Sequence, residues 1–329
     1  MAVSLDDVQN RVPTLHISLS RVGVTNVEKV IRIRANETEQ LFYAKLDCFV
    51  DLGPRQKGAH MSRFEEVVND AIGEVILGES AFRAETLARH IAEKVRDRQG
   101  ARRAEVHLEA RYPEHKPAPV SGIRTQEIYT LHGVAVASAA GTRRLIGVTA
   151  QGMTACPCAQ TLVIASSRER LLAEGFGEHE IERIFEAVPV ATHNQRGLGT
   201  LHIGCPEDCD TDIDAHRLLA IIEDSMSSEI YELMKRADEG AVVEKAHRRP
   251  RFVEDCVREM IRGVVEGLPE LRDDAFVSAR QENLETIHQH NVVADRFGLV
   301  RELRHELVSG EHSEHHVSMR DWLDGVNVR

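Results

Sequence analysis

The chain has 329 residues, with 41 Lys plus Arg against 53 Asp plus Glu and a formal net charge of −12. That acidity excludes broad attraction to nucleic acid or anionic membranes, so an anionic ligand needs a local basic pocket. No apolar run approaches the roughly 18 residues of a membrane helix, and no basic-then-apolar leader opens the chain. Its six irregularly spaced cysteines fit a reducing compartment, so the expectation is a cytoplasmic protein of two similar modules.

Period-two alternation at 15–20 and 42–50 predicts antiparallel strands with one buried face. Segments 62–73 and 80–98 predict helices, the second carrying Leu87, Ile91 and Val95 every four residues. Strand character returns at 104–112, where Val106, Leu108 and Ala110 alternate with Glu105, His107, Glu109 and Arg111. The turn-rich stretch 112–119 then marks a module boundary near residue 125, giving modules 1–125 and 126–329.

The second module repeats the order. Segment 129–154 predicts one or two strands, 212–235 and 251–268 predict helices, and 275–304 predicts closing strands. Between them, 161–188 predicts two short helices around Gly175-Phe176-Gly177, a helical insertion serving as a lid or interface element. Strand-strand, helix-helix, strand-strand, taken twice, is an α+β design in which each antiparallel sheet is covered by two helices.

Cys156 and Cys158 flank Pro157, tighter than a Cys-x-x-Cys knuckle, so one of them faces an ion; the plain alternative is two buried thiols. His193 sits in Thr192-His193-Asn194-Gln195-Arg196-Gly197, a polar cluster that a core strand carries only with partners to satisfy it. Thiolate with imidazole supplies the sulfur and nitrogen donors that zinc or ferrous iron accepts, which points to a metal-dependent hydrolase. His288 and His290, at i and i+2, share one face if their segment is a strand; a solvated strand edge is the alternative.

Glu239 is expected where a helix ends. Glu254 is expected at the start of another, whose apolar stripe includes Val253, Cys256, Val257, Met260 and Ile261; there a carboxylate is ordinarily a dipole partner. Cys205 and Cys209 read as the ends of a turn, and His312, His315 and His316 as solvated. Lys57 and Arg63 lie in a basic loop that leads into a helix N-terminus and suits a phosphate, with Ser62 as a plain N-cap the alternative.

In this order, the motifs at 20–26, 56–63, 154–158, 192–197, 252–255 and 287–290 resemble those of the GTP cyclohydrolase type IB family, and of its archaeal-type MptA-like branch in particular. The resemblance spans nearly the whole chain. It implies a tunnelling fold, with two modules per chain assembling into a barrel-like homotetramer, a dimer of dimers, whose sites lie at subunit interfaces. It also implies one divalent metal per subunit, Fe(II) in that branch with Zn(II) or Mn(II) as alternatives, held by Cys156, His193 and Glu239. Glu254 corresponds to the acid that anchors guanine, and His288 and His290 to the pair that transfers protons or ligates the ion. Lys57, His60 and Arg63 are the residues expected on the triphosphate, supplied by a neighbouring subunit.

The implied reaction opens the imidazole ring of GTP, releases formate and gives a 7,8-dihydroneopterin phosphate for pterin, folate or tetrahydromethanopterin synthesis. The product is cyclic in the MptA-like branch and a triphosphate in bacterial members. Two departures stand out: the insertion at 161–188, where bacterial members nearly join the two motifs, and Ala237 where they carry Pro. A tunnelling-fold nitrile reductase of the queuosine pathway, with a nucleophilic cysteine, NADPH and no metal, is one alternative. A non-catalytic structural zinc protein is the other.

Overall fold

The computed structural model describes residues 8–35, 38–76, 83–206, 213–311 and 316–326, of which 32–35, 38–40 and 74–76 are described by backbone alone. The first half runs β1 (Leu19–Ala35), β2 (Thr38–Leu52), α1 (Met61–Ile76), α2 (Ala84–Gln99), β3 (Ala104–Pro117) and β4 (Arg124–Ser138). The second runs β5 (Gly141–Ala155), α3 (Pro157–Ala173), α4 (Glu178–Ala187), β6 (Asn194–Cys205), α5 (Ala215–Ser225) and a two-residue β7 (Ser228–Glu229). It closes with α6 (Arg236–Arg248), α7 (Val253–Gly267), β8 (Phe276–Leu284), β9 (Val292–Leu299), α8 (Val300–Ser309) and α9 (Met319–Leu323).

The strands form one antiparallel sheet in the order β1-β2-β3-β4-β5-β6-β8-β9, with β7 on β5. It runs unbroken past residue 125, where Thr125 pairs with Lys116. Helix α2 packs on β3 and β4 through Leu87, Ile91 and Val95, each at most 1% exposed, and each such burial is worth about 1.5–3 kcal/mol. Helices α5 and α7 extend the same core over the second half through Leu218, Ile222, Met260 and Val264. On the other face, Trp322 and Leu323 of α9 cover Val134, Leu145 and Phe276.

The 20–26 motif shapes the edge strand. β1 is bulged between Leu19 and Val22 and again between Val24 and Val27. Asn26 adopts a left-handed φ of 60°, and its N–H donates to Asp47 Oδ1 at 2.7 Å. A Cβ on Gly23 would lie 1.8 Å from the Cys48 carbonyl oxygen, so only glycine lets the two chains approach there.

Several expectations need correction. The first strand begins at Leu19, so Leu15 and Ile17, 74% and 68% exposed, precede the sheet. The stretch 112–117 continues β3 instead of forming a turn: beyond Arg111 β3 has lost β2 and pairs only with β4, and such an edge tolerates Pro113 and Pro117. The helix expected over 212–235 is α5 alone, and its unforeseen successor α6 is capped by Lys235, whose N–H donates to Asp238 Oδ2 at 2.8 Å. Glu239 therefore lies in a first helical turn, not at a helix end. The closing strands stop at Leu299, whose N–H donates to Glu302 Oε2 at 3.1 Å and starts α8. The insertion is α3 and α4, hinged at Gly175 with φ 93°.

Candidate active site

At the end of β5, Ala155 pairs with Asn194, the first residue of β6. The insertion thus leaves and re-enters the sheet at one point. Pro157, which has no N–H to lose, begins α3. The Cys156 N–H donates to the His193 carbonyl at 3.1 Å. Thr192 Oγ1 donates to the Cys156 carbonyl at 2.9 Å, and the Ala155 N–H donates to Ser227 Oγ at 3.1 Å. Buried Gln160 donates through Nε2 to the carbonyls of Val190 and His247, both at 2.7 Å, sewing the root of α3 to α6. The Arg248 guanidinium donates to the carbonyls of Glu186 and Ala187 at 3.0 and 3.1 Å, closing the end of α4.

The His193 ring is 15% exposed, with Nδ1 3.1 Å from Gln195 Oε1 and 3.9 Å from Glu285 Oε2. Glu285 follows β8, whose Leu284 pairs with Arg196. Its side chain is 6% exposed, and Oε2 has no hydrogen-bond partner. Thr286 Oγ1 donates to the Asn194 carbonyl at 3.1 Å, pinning the β8–β9 loop to the same point. His288 and His290 lie in that loop, exposed, not on the strand expected for them. Their rings nevertheless stack, 5.2 Å apart at 11°.

Glu254 approaches through the chain before α7, where the Arg251 N–H donates to the Ala155 carbonyl at 2.9 Å. It is exposed and borders a cavity of about 650 Å³ between α7, β9 and α8, walled by Val257, Ile261 and Leu303 with Arg258 and Arg296. Glu239 is exposed on α6, and the structure records no contact from it to Cys156 or His193. Its neighbour Asp238 is fully buried and accepts from the N–H groups of Ser121, Lys235 and Val120 and from Ser121 Oγ. Those donors, Ser121 foremost, hold its carboxyl well below the usual range.

Lys57, His60 and Arg63 sit at the other end of the sheet, where Val50 pairs with Ala104 and Ala137 with Thr142. There the His60 carbonyl accepts from Gln99 Nε2 at 2.8 Å, and Arg63 Nη1 donates to the Arg98 carbonyl at 3.3 Å. One chain therefore gathers Cys156, His193, the His288–His290 loop and the start of α7 at one sheet end and keeps the basic loop away. Cys205 is buried at 6%, while Cys209, His312 and His315 fall outside the described residues. His316, expected in solvent, packs edge-on to Phe297 at 6.4 Å.

Glu285 does not figure among the candidates of the sequence reading; its only signal is its place three residues before His288. Among the described residues, no three His, Cys, Asp or Glu side chains within the chain already form a metal cage. The donors present still fit zinc or ferrous iron: a thiol and an imidazole at one sheet end, with a buried carboxylate oxygen that accepts no hydrogen bond beside them.

Among solved structures, uricase from Arthrobacter globiformis matches with a TM-score of 0.51 at 8% identity, covering 90% of this chain and 96% of that one. A hyper-thermostable uricase mutant matches at 0.50. The fold is the tunnelling fold. A family model described as type I GTP cyclohydrolase folE2 matches residues 5–294. GTP cyclohydrolase MptA of Methanococcus maripaludis is 40% identical over 313 residues, covering 92% of this chain and 98% of that protein. The MptA of Methanothermobacter thermautotrophicus is 40% identical over 311 residues, covering 93% and 96%. The chain belongs to the type I GTP cyclohydrolase folE2 family and is an enzyme of that class.

Proposed function

We propose that the chain is a metal-dependent GTP cyclohydrolase that opens the guanine imidazole ring, releases formate and forms a 7,8-dihydroneopterin phosphate, cyclic as in the MptA-like branch. The observation that carries this is the convergence of Cys156, His193 and Glu285, whose Oε2 accepts no hydrogen bond, at one sheet end. The identity to MptA proteins supports the substrate.

One divalent ion per subunit, Fe(II) with Zn(II) or Mn(II) as substitutes, would supply Lewis-acid activation of water near neutral pH. Cys156 and His193 would hold it, Glu239 is an exposed acid available for a further position, and Glu285 stands on the Nδ1 side of the His193 ring. Glu254 accepts the paired N–H groups of the guanine edge. His288 or His290 protonates the departing imidazole nitrogen. The triphosphate needs cations, and Lys57, His60 and Arg63 must come from another protomer because their own lie at the far sheet end. The outer edges of β1 and β9 take no strand partner among the described residues. Pairing with further copies would close a barrel and a homotetramer.

Incubating anaerobically purified protein with GTP and Fe(II) tests this directly. Formate and a pterin that fluoresces after oxidation are expected; GTP left intact with every metal would overturn the proposal.

A further inference from the structure

The polar ladder behind His193 meets the proposed site only through Gln195, whose Oε1 lies 3.1 Å from His193 Nδ1. On β6, Gln195, Gly197 and Gly199 alternate onto one face; on β8, Gln281 and Asn283 stand opposite Gly199 and Gly197. All three amides are buried, Gln195 at 6%, Asn283 at 2% and Gln281 at 0% exposure. Gln281 Nε2 donates to Asn283 Oδ1 at 3.1 Å. The glycines make room for them: a Cβ at Gly197 would lie 2.4 Å from Gln281 Nε2 and 3.3 Å from Asn283 Oδ1, and one at Gly199 would lie 3.2 Å from Gln281 Oε1. Burying three amides beneath Ile222 and Met226 is costly where apolar side chains would pack.

We infer that Gln195 is a positioning residue that fixes His193 for metal binding. This rests on the metal-dependent reading above. An amide oxygen only accepts, so Oε1 at 3.1 Å from Nδ1 selects the ring tautomer with its proton on Nδ1. The lone pair then lies on Nε2, the nitrogen left for the ion. A metal-bound imidazole is commonly held this way through its second nitrogen, and losing the holder costs about 10–100-fold in affinity.

The test is cobalt titration of the full-length apoprotein, followed by the thiolate-to-Co(II) absorption band, with circular dichroism and melting as the fold control. Gln195→Leu is expected to raise the Co(II) dissociation constant about 10–100-fold with the melting midpoint little changed, and Gln195→Glu, which keeps an acceptor at Nδ1, to restore it. Wild-type affinity in a folded Gln195→Leu would overturn the inference while leaving the metal reading intact. Should Gln195→Leu fail to fold, Gln195→Met, which keeps the length but not the amide acceptor, must weaken cobalt binding in its place, and unchanged affinity there would overturn it equally. A wild-type protein without a band that Cys156→Ala removes would sink the metal reading and this inference together.

Discussion

The Cys156 N–H donates to the His193 carbonyl at 3.1 Å, and that bond makes the length of the insertion between them irrelevant to their distance. Helices α3 and α4 project from a root already closed by β5–β6 pairing, so the hairpin can vary without moving either side chain. Gln160 is the root's main fastener, serving two carbonyls. Gln160→Leu leaves the buried His247 carbonyl and the part-buried Val190 carbonyl unpaired and is expected to cost about 1–3 kcal/mol, read from urea denaturation.

The glycine notch predicts a steric penalty. Gly197→Ala puts a methyl 2.4 Å from Gln281 Nε2 and 3.1 Å from Met226 Sδ, and is expected to destabilise by about 1–3 kcal/mol. Gly240→Ala, with nothing within 4 Å of its new Cβ, is the control. Equal denaturation midpoints for the two variants would contradict the packing.

The stacked imidazoles are assigned to proton transfer. The double variant His288→Asn/His290→Asn is expected to lose about 10²–10⁴-fold in kcat, with the KM for GTP little changed. A raised KM at full kcat would place the pair in substrate binding instead.

Acid sensitivity follows from the middle of the sheet, where the His132 and His202 rings meet 5.2 Å apart and the His202 ring lies over Gly147. Burial, reinforced by His132 and His107, pushes His202 down to about 3, and burial lowers His132 despite the pull of Glu109. The unfolded chain takes up these protons near pH 6.5; the folded chain takes them up at lower pH, His202 only near 3. Stability is therefore complete above about pH 6.5 and falls as pH drops toward 3, by at most about 1.4 kcal/mol per pH unit for His202. Melting midpoints at several pH values should show the slope, and His202→Gln should flatten it.

Much of the fold was legible because its signals are periodic. Leu87, Ile91 and Val95 lie in one buried stripe, and Val106, Leu108 and Ala110 face the core as their alternation required. Tertiary context decided what local rules could not. Pro113 and Pro117 look like turn residues until β3 is known to lose a neighbour there, and α6 has a weak apolar stripe and rests on the buried Asp238 cap. The site was half legible. Cys156 and His193 stand out as residue types, whereas Glu285 and Gln195 gain meaning only from register, because nothing local separates a buried carboxylate from the many exposed ones.

The central claim is that one cation is shared by Cys156 and His193, and metal content measured beside formate release tests it most directly. Wild-type protein loaded anaerobically with Fe(II) should hold one ion per chain and release formate from GTP. Cys156→Ala and His193→Ala should each remain folded, lose the ion and release none. Full metal content and wild-type formate release in either variant would contradict the account.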